Sequence, residues 1–261
     1  MELSRKVAVV TGSTSGIGLA MAANFARLGA QVVLNGLGDD TLISTAKAAI
    51  SDVSDKAAHY NNADMRDADA IAAMIADVES RFGAVDILVN NAGIQHVTRI
   101  EEFPRGRWDD IIAINLSSAF HTTAAALPGM QKRDFGRIIN IASAHGLIGS
   151  VGKSAYVAAK HGIVGLTKVT ALENAEQQIT CNAICPGWVR TPLVEIQIRA
   201  LAEEKGLDIE AAAKALLASK EPSLRFTTPQ QLADTAAFLC SEAASNMTGT
   251  TLSMDGGWTA Q

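Results

Sequence analysis

Short apolar runs rich in valine, isoleucine and leucine alternate with longer stretches of helical period along most of the chain. Such alternation folds as a parallel sheet covered by helices, because two parallel strands need a long crossover between them. Strands are expected at residues 7–10, 32–34, 57–61, 87–89, 137–141, 179–184 and 250–254. Helices are expected at 16–28, 67–82, 108–130, 154–175 and 229–241. The fold class that follows is α/β: a doubly wound, parallel, seven-stranded sheet with helices on both faces. No linker or low-complexity stretch divides the chain, so residues 1–261 are expected to form a single domain. One mostly helical insertion, 190–225, follows the sixth strand. The carboxyl ends of strands are where open α/β sheets bind ligands, so this insertion is expected to be a small substrate-binding helical lid.

At 48% hydrophobic and 19% charged residues, 261 residues bury enough core to dispense with disulfides. The three cysteines, Cys181, Cys185 and Cys240, are too few and too unevenly placed for a disulfide framework. Cys181 and Cys185 share a side of one strand, too far apart along it to bridge. A net charge of −5 argues against general attraction to nucleic acid or an anionic membrane. No stretch reaches the roughly 18 uninterrupted apolar residues of a membrane span. Residues 1–6 run into the first strand without an apolar leader. A cytoplasmic enzyme is expected, with no nucleic acid or membrane partner, and no residues stand out as metal ligands.

Thr11, Gly12, Ser13, Thr14, Ser15, Gly16, Ile17 and Gly18 join the first strand to the first helix. Glycines there allow a tight turn and close approach of a pyrophosphate, to which the helix N-terminus offers free N–H groups and positive dipole. The second strand ends in Asn35-Gly36-Leu37-Gly38, followed by Asp39 and Asp40. A dinucleotide's adenosine ribose meets the end of this strand, where a base favours NADP. There is no Arg or Lys there, and two carboxylates repel a 2′-phosphate, so NAD is the expected cofactor.

Tyr156 and Lys160 stand four apart in a helical stretch and share a face. A cation beside a phenol favours the phenolate, which makes Tyr156 a candidate acid/base with its pKa lowered by Lys160. Ser143 follows the fifth strand, and Asn90 and Asn91 end the fourth, so both groups fall on one edge of the sheet. Asn115 lies within a predicted helix, where asparagine is unhelpful, and this suggests a polar duty.

Taken together, Thr11-Gly12-x-x-x-Gly16-x-Gly18, Asn90-Asn91-Ala92-Gly93, Asn115, Ser143, Tyr156-x-x-x-Lys160 and Pro186-Gly187 resemble the short-chain dehydrogenase/reductase family in order and spacing. The resemblance covers essentially the whole chain and implies a Rossmann-like fold. It implies Tyr156 as general base, Ser143 as holder of the substrate oxygen, Lys160 on the nicotinamide ribose and Asn115 on a relay water. It also implies Asp64 at the adenine, Asn91, Ala92 and Gly93 on the adenosine side, and Pro186, Gly187 and Val189 at the nicotinamide. Relatives usually assemble as homotetramers through their long helices and last strand.

Beside Tyr156, the residues Gln95, His145, Lys153 and Gln197 would supply one cation, one titratable donor and two amides. That set suits a carboxylate, which accepts several charge-assisted hydrogen bonds. The strings around Gln95, Ser143 and Tyr156, and residues 185–195, are similar to the bacterial branch of the family that oxidises (R)-3-hydroxybutyrate. That likeness implies those four residues on the substrate carboxylate, with Trp188 and Trp258 walling its methyl side. The expected substrate is therefore a small hydroxy acid. Two other readings stay open here: a β-ketoacyl thioester reductase of the same family, and a non-catalytic protein that senses NAD.

Overall fold

The computed structural model describes residues 2–260, so Met1 and Gln261, the ends of the expected unit, lie outside the described residues. Seven strands form one sheet: β1 (Val7–Val10), β2 (Gln31–Asn35), β3 (His59–Asn61), β4 (Ile87–Asn90), β5 (Gly136–Ile141), β6 (Ile179–Pro186) and β7 (Thr251–Met254). Their order is β3-β2-β1-β4-β5-β6-β7 and every pairing is parallel, as expected for the Rossmann-like class. The order reverses direction between β1 and β4, the switch point at which such sheets open a crevice.

Alternate residues of each strand face opposite layers. On one side Ala8, Val10, Val32, Leu34 and Ile184 pack with α1 (Gly16–Arg27), α2 (Asp40–Ser51) and α9 (Pro229–Leu239). On the other, Val7, Val9, Val33, Leu88 and Ile138 meet α3 (Ala68–Phe82), α5 (Ser118–Arg133) and α6 (Ser154–Glu173). Burial on both faces is why these strands read as unbroken apolar runs.

The helix expected at 108–130 runs from α4 (Arg105–Ile112) through a π-helical stretch, Ala113–Ser117, into α5. The widened turn holds Asn115. This run is long and apolar enough to cross a bilayer, but it packs on the sheet, and Thr122 and Thr123 bond the buried Asn90. It is a core helix.

One helix has no counterpart among the sequence expectations. Asp39 accepts a hydrogen bond from the Leu42 N–H at 2.8 Å and caps α2, which presents only Ala46 and Ile50 to the core. So little apolar periodicity hid it. Residues 190–225 form α7 (Pro192–Lys205) and α8 (Ile209–Ala218), which pack on each other through Val194, Ile198, Ala202 and Ala212. Cys181, Cys185 and Cys240 are buried free thiols.

Candidate active site

At the carboxyl edge of the sheet a cleft of about 480 Å3 runs from the glycine turn to Trp258. Gly12 and Gly16 take left-handed backbone (φ +60° and +57°), which turns the chain sharply between β1 and α1. Ser15, at the helix N-terminus, makes no side-chain cap, so its first-turn N–H groups are left for a ligand. Gly12, Thr14, Ser15, Gly16 and Ile17 line the cleft. Thr11, Ser13 and Gly18 do not; they build the turn. Thr11 Oγ1 accepts from the Asn91 and Ala92 N–H groups, and Ser13 Oγ donates to the Val10 carbonyl. A Cβ on Gly18 would collide with the Gly12 carbonyl and the Asn91 amide.

Beyond the turn, Asn35, Gly36, Leu37, Ala63, Asp64 and Met65 form the far end of the cleft. Asn35 is fully engaged within the protein, bonding the Gly12 N–H and the Asn61 and Ala63 carbonyls. Asp64 faces Arg66, whose guanidinium hydrogen-bonds it and holds the carboxyl below its usual range. Asn91, Ala92 and Gly93 line the middle of the cleft.

On the first turns of α6, Lys160 is buried and Tyr156 half-buried beside Ser143, and Ser143 hydrogen-bonds the phenol. Burial raises the Tyr156 pKa, and the Ser143 bond opposes it. The expected lowering by Lys160 is therefore not the prevailing effect. The Lys160 ammonium donates to the Ile141 carbonyl at 2.6 Å and stands 5.6 Å from the phenol ring centre, and burial brings its own pKa down to about 8. Asn115, expected on a relay water, has both ends of its amide on Ile94. It accepts from the Ile94 N–H and donates to the Ile94 carbonyl, each at 2.9 Å. Its side chain fixes the turn that carries Gln95.

All the residues singled out for the substrate end, Gln95, Ser143, His145, Lys153, Tyr156, Trp188, Gln197 and Trp258, line the cleft, as do Pro186, Gly187 and Val189. His145 and Lys153 are 5% and 9% exposed. Burial, then the charges of Lys153 and Lys220, push His145 down to about 4; burial and Lys220 bring Lys153 to about 8. His145 Nε2 is buried without a partner in the protein. The Trp188 and Trp258 rings stack with centroids 6.3 Å apart, Lys153 lying over the first and Lys220 over the second. Lys220 and Glu221 were not among the sequence candidates. They follow α8 with no motif, and only the tertiary fold brings them to the tryptophans.

A family model described as "Enoyl-(Acyl carrier protein) reductase" matches residues 12–259. The chain is 56% identical to a D-beta-hydroxybutyrate dehydrogenase of Cupriavidus necator over 99% of this chain and 100% of that one. It is 53% identical to a protein of the same name from Rhizobium meliloti, over 98% and 99%. The chain belongs to the short-chain dehydrogenase/reductase family. In three dimensions, the L-sorbose reductase of Gluconobacter frateurii, solved with NADPH and L-sorbose, superposes with a TM-score of 0.94 at 31% identity, covering 100% of this chain and 99% of that one. A short-chain dehydrogenase/reductase works with a nicotinamide cofactor. The cleft fits one: glycine turn and uncapped helix for the phosphates at one end, Tyr156 and Lys160 at the other.

Proposed function

We propose that this protein catalyses the reversible, NAD-dependent oxidation of (R)-3-hydroxybutyrate to acetoacetate. The observation that carries the reading is the buried Lys153 ammonium, set beside the unpartnered His145 Nε2 at the Tyr156 end of the cleft. A small carboxylate satisfies both groups; a neutral alcohol would leave a buried charge unpaired. Gln95 and Gln197 add amide donors, while Trp188 and Trp258 offer an apolar wall to a methyl group. The names of the two bacterial relatives point to the same substrate.

In oxidation, Ser143 holds the C3 oxygen and Tyr156, as phenolate, takes the hydroxyl proton. The nicotinamide, when bound, supplies the acceptor for the C3 hydride. Lys160 orients the phenol and binds the adjoining ribose. The Asn115 amide keeps the Ile94 turn, and with it Gln95, in place. The choice of NAD is supported at the adenosine end of the cleft, where the charged lining residue is Asp64 and no base awaits a 2′-phosphate among the described lining residues. Asp39, which caps α2 through Oδ1, and Asp40 are carboxylates that follow Leu37 of that end in sequence. A thioester reductase or a non-catalytic sensor has no use for a buried ammonium at Lys153.

Three further readings belong to this proposal. Residues 190–225 act as a lid on a single-domain enzyme, supported by Val194 and Gln197 of α7 at the cleft. A homotetramer is supported by exposed Phe120 on α5 and Val169 and Leu172 on α6. A reducing, cytoplasmic setting is supported by the three free thiols.

The test is formation of NADH from NAD, or of NADPH from NADP, with each enantiomer of 3-hydroxybutyrate. Turnover of the R form with NAD is expected. Absence of turnover with both enantiomers would remove the substrate and leave the family.

A further inference from the structure

Trp188 follows β6 and Trp258 follows β7, and a short turn after α8 holds the two segments together. At the head of that turn stands Glu221, 1% exposed. Its Oε1 accepts a hydrogen bond from the Trp188 main-chain N–H, and its Oε2 is buried with no partner in the protein. Two glycines make room for it: a Cβ on Gly187 would collide with Oε1, and one on Gly256 would stand 3.1 Å from Oε2. The rest of the turn stitches the same two segments. Ser223 N–H bonds the Gly256 carbonyl, Thr227 N–H the Trp188 carbonyl, and Thr227 Oγ1 the Met254 carbonyl, each at 3.0 Å. Within it Leu224 sits at φ +53°, a conformation costly for leucine, with its side chain 45% exposed. No packing of that side chain explains the strain; the cross-links on either side of it impose it.

We propose that Glu221 is the positioning residue of the substrate wall: it anchors the Trp188 main chain and so sets how the Trp188–Trp258 stack bounds the space beside Tyr156. The proposal rests on the reading of this site as a small hydroxy-acid dehydrogenase. The stack is the group acted upon, since Glu221 itself does not line the cleft. Its effect therefore falls on the length of hydroxy-acid chain that fits, and the chemical step stays with Ser143, Tyr156 and Lys160.

The carboxyl is pushed up to about 7, chiefly by burial; the Trp188 N–H opposes the shift and the charge of Asp255 adds to it. Asp255 is the acid facing it from the β7 side, itself held by the Thr259 hydroxyl and the Gly257 and Thr259 N–H groups. On its own segment, the Lys220 ammonium lies over the Trp258 ring, 5.2 Å from its centroid. Above pH about 7 the ionised carboxylate makes the stronger, charge-assisted bond to Trp188; below it the neutral acid holds Trp188 less firmly. The wall thus tightens as pH rises through that value.

The test compares Glu221→Leu, which removes the acceptor but keeps an apolar side chain in the site, with Glu221→Gln, which keeps an acceptor without charge. Both are made alongside the parent in a Trp108→Phe background, so that Trp188 and Trp258 alone report fluorescence. In Glu221→Leu the KM for (R)-3-hydroxybutyrate should rise about tenfold, kcat should stay within about threefold, and the preference over (R)-3-hydroxyvalerate should shrink. NADH affinity by fluorescence titration should not change. Glu221→Gln should restore KM and lose the fluorescence midpoint near pH 7 that the parent shows. Wild-type KM and selectivity in Glu221→Leu would overturn the proposal, as would a parallel loss of NADH affinity. If the parent turns over neither hydroxy acid, the substrate reading falls, and the fluorescence midpoint in the parent against Glu221→Gln still decides the role of Glu221. The same comparison decides it if Glu221→Leu fails to fold.

Discussion

Lys160 Nζ donates to the Ile141 main-chain carbonyl at 2.6 Å, which ties the base of the α6 active-site turn to the end of β5. The ammonium is thereby fixed beside Tyr156, in a setting where burial opposes ionisation of both groups. Replacing Lys160 by Ala removes the buried cation beside the phenol ring and, with it, the donor to the Ile141 carbonyl. Turnover should fall by about 100-fold or more, with the alkaline-going limb of the kcat/KM profile displaced upward. A pH–rate profile that keeps its shape in this variant would show that Lys160 does not act on the phenol.

Lys153 titrates at about 8, lowered from the ordinary lysine range by burial and by Lys220. Its charged form binds a carboxylate, so affinity is present below that pH and lost as pH rises through it. KM for hydroxybutyrate should climb above pH about 8 in the wild type. In Lys153→Met, KM should already be raised by about 10- to 100-fold and show no such limb. Initial rates across a pH series check this, and a wild-type KM in the variant would remove Lys153 from the substrate.

Gly18 is buried where α1 passes under the glycine turn, and a methyl group there meets the Gly12 carbonyl and the Asn91 amide nitrogen. Neither has slack, since the Asn91 amide already donates to the Thr11 and Gly12 carbonyls at 2.9 Å each. Gly18→Ala should cost about 1–3 kcal/mol in stability and lower the melting temperature by several degrees. NADH affinity should fall with it, because the displaced turn is the one that meets the phosphates. Differential scanning calorimetry and fluorescence titration on one sample check both.

What was legible in the sequence had a local physical signature. Gly12 and Gly16 needed left-handed backbone between a strand and a helix, and Tyr156 and Lys160 shared a helix face by spacing alone. The buried strands announced themselves as apolar runs. What escaped depends on partners far along the chain. That Asp39 caps α2, and that the Asn115 amide holds Ile94 from a π-helical turn, no residue pattern forecasts. The Tyr156 pKa turns on how deeply the phenol is buried, which spacing does not reveal. Lys220 and Glu221 acquire meaning only when β6 and β7 bring two tryptophans beside them.

The cleft is divided along the chain as well as in space. Its adenosine end comes from residues up to Met65, and Lys153, Gln197 and both tryptophans come from the later half. An ancestor could therefore have changed its alcohol by rewriting loops behind β5, β6 and β7 while its adenosine-holding half was inherited intact. For recombination, crossovers in the segment after β4 would exchange substrate preference as a cassette, with the pairing of β4 to β5 and the packing of α1 on α9 as the seams that must still match.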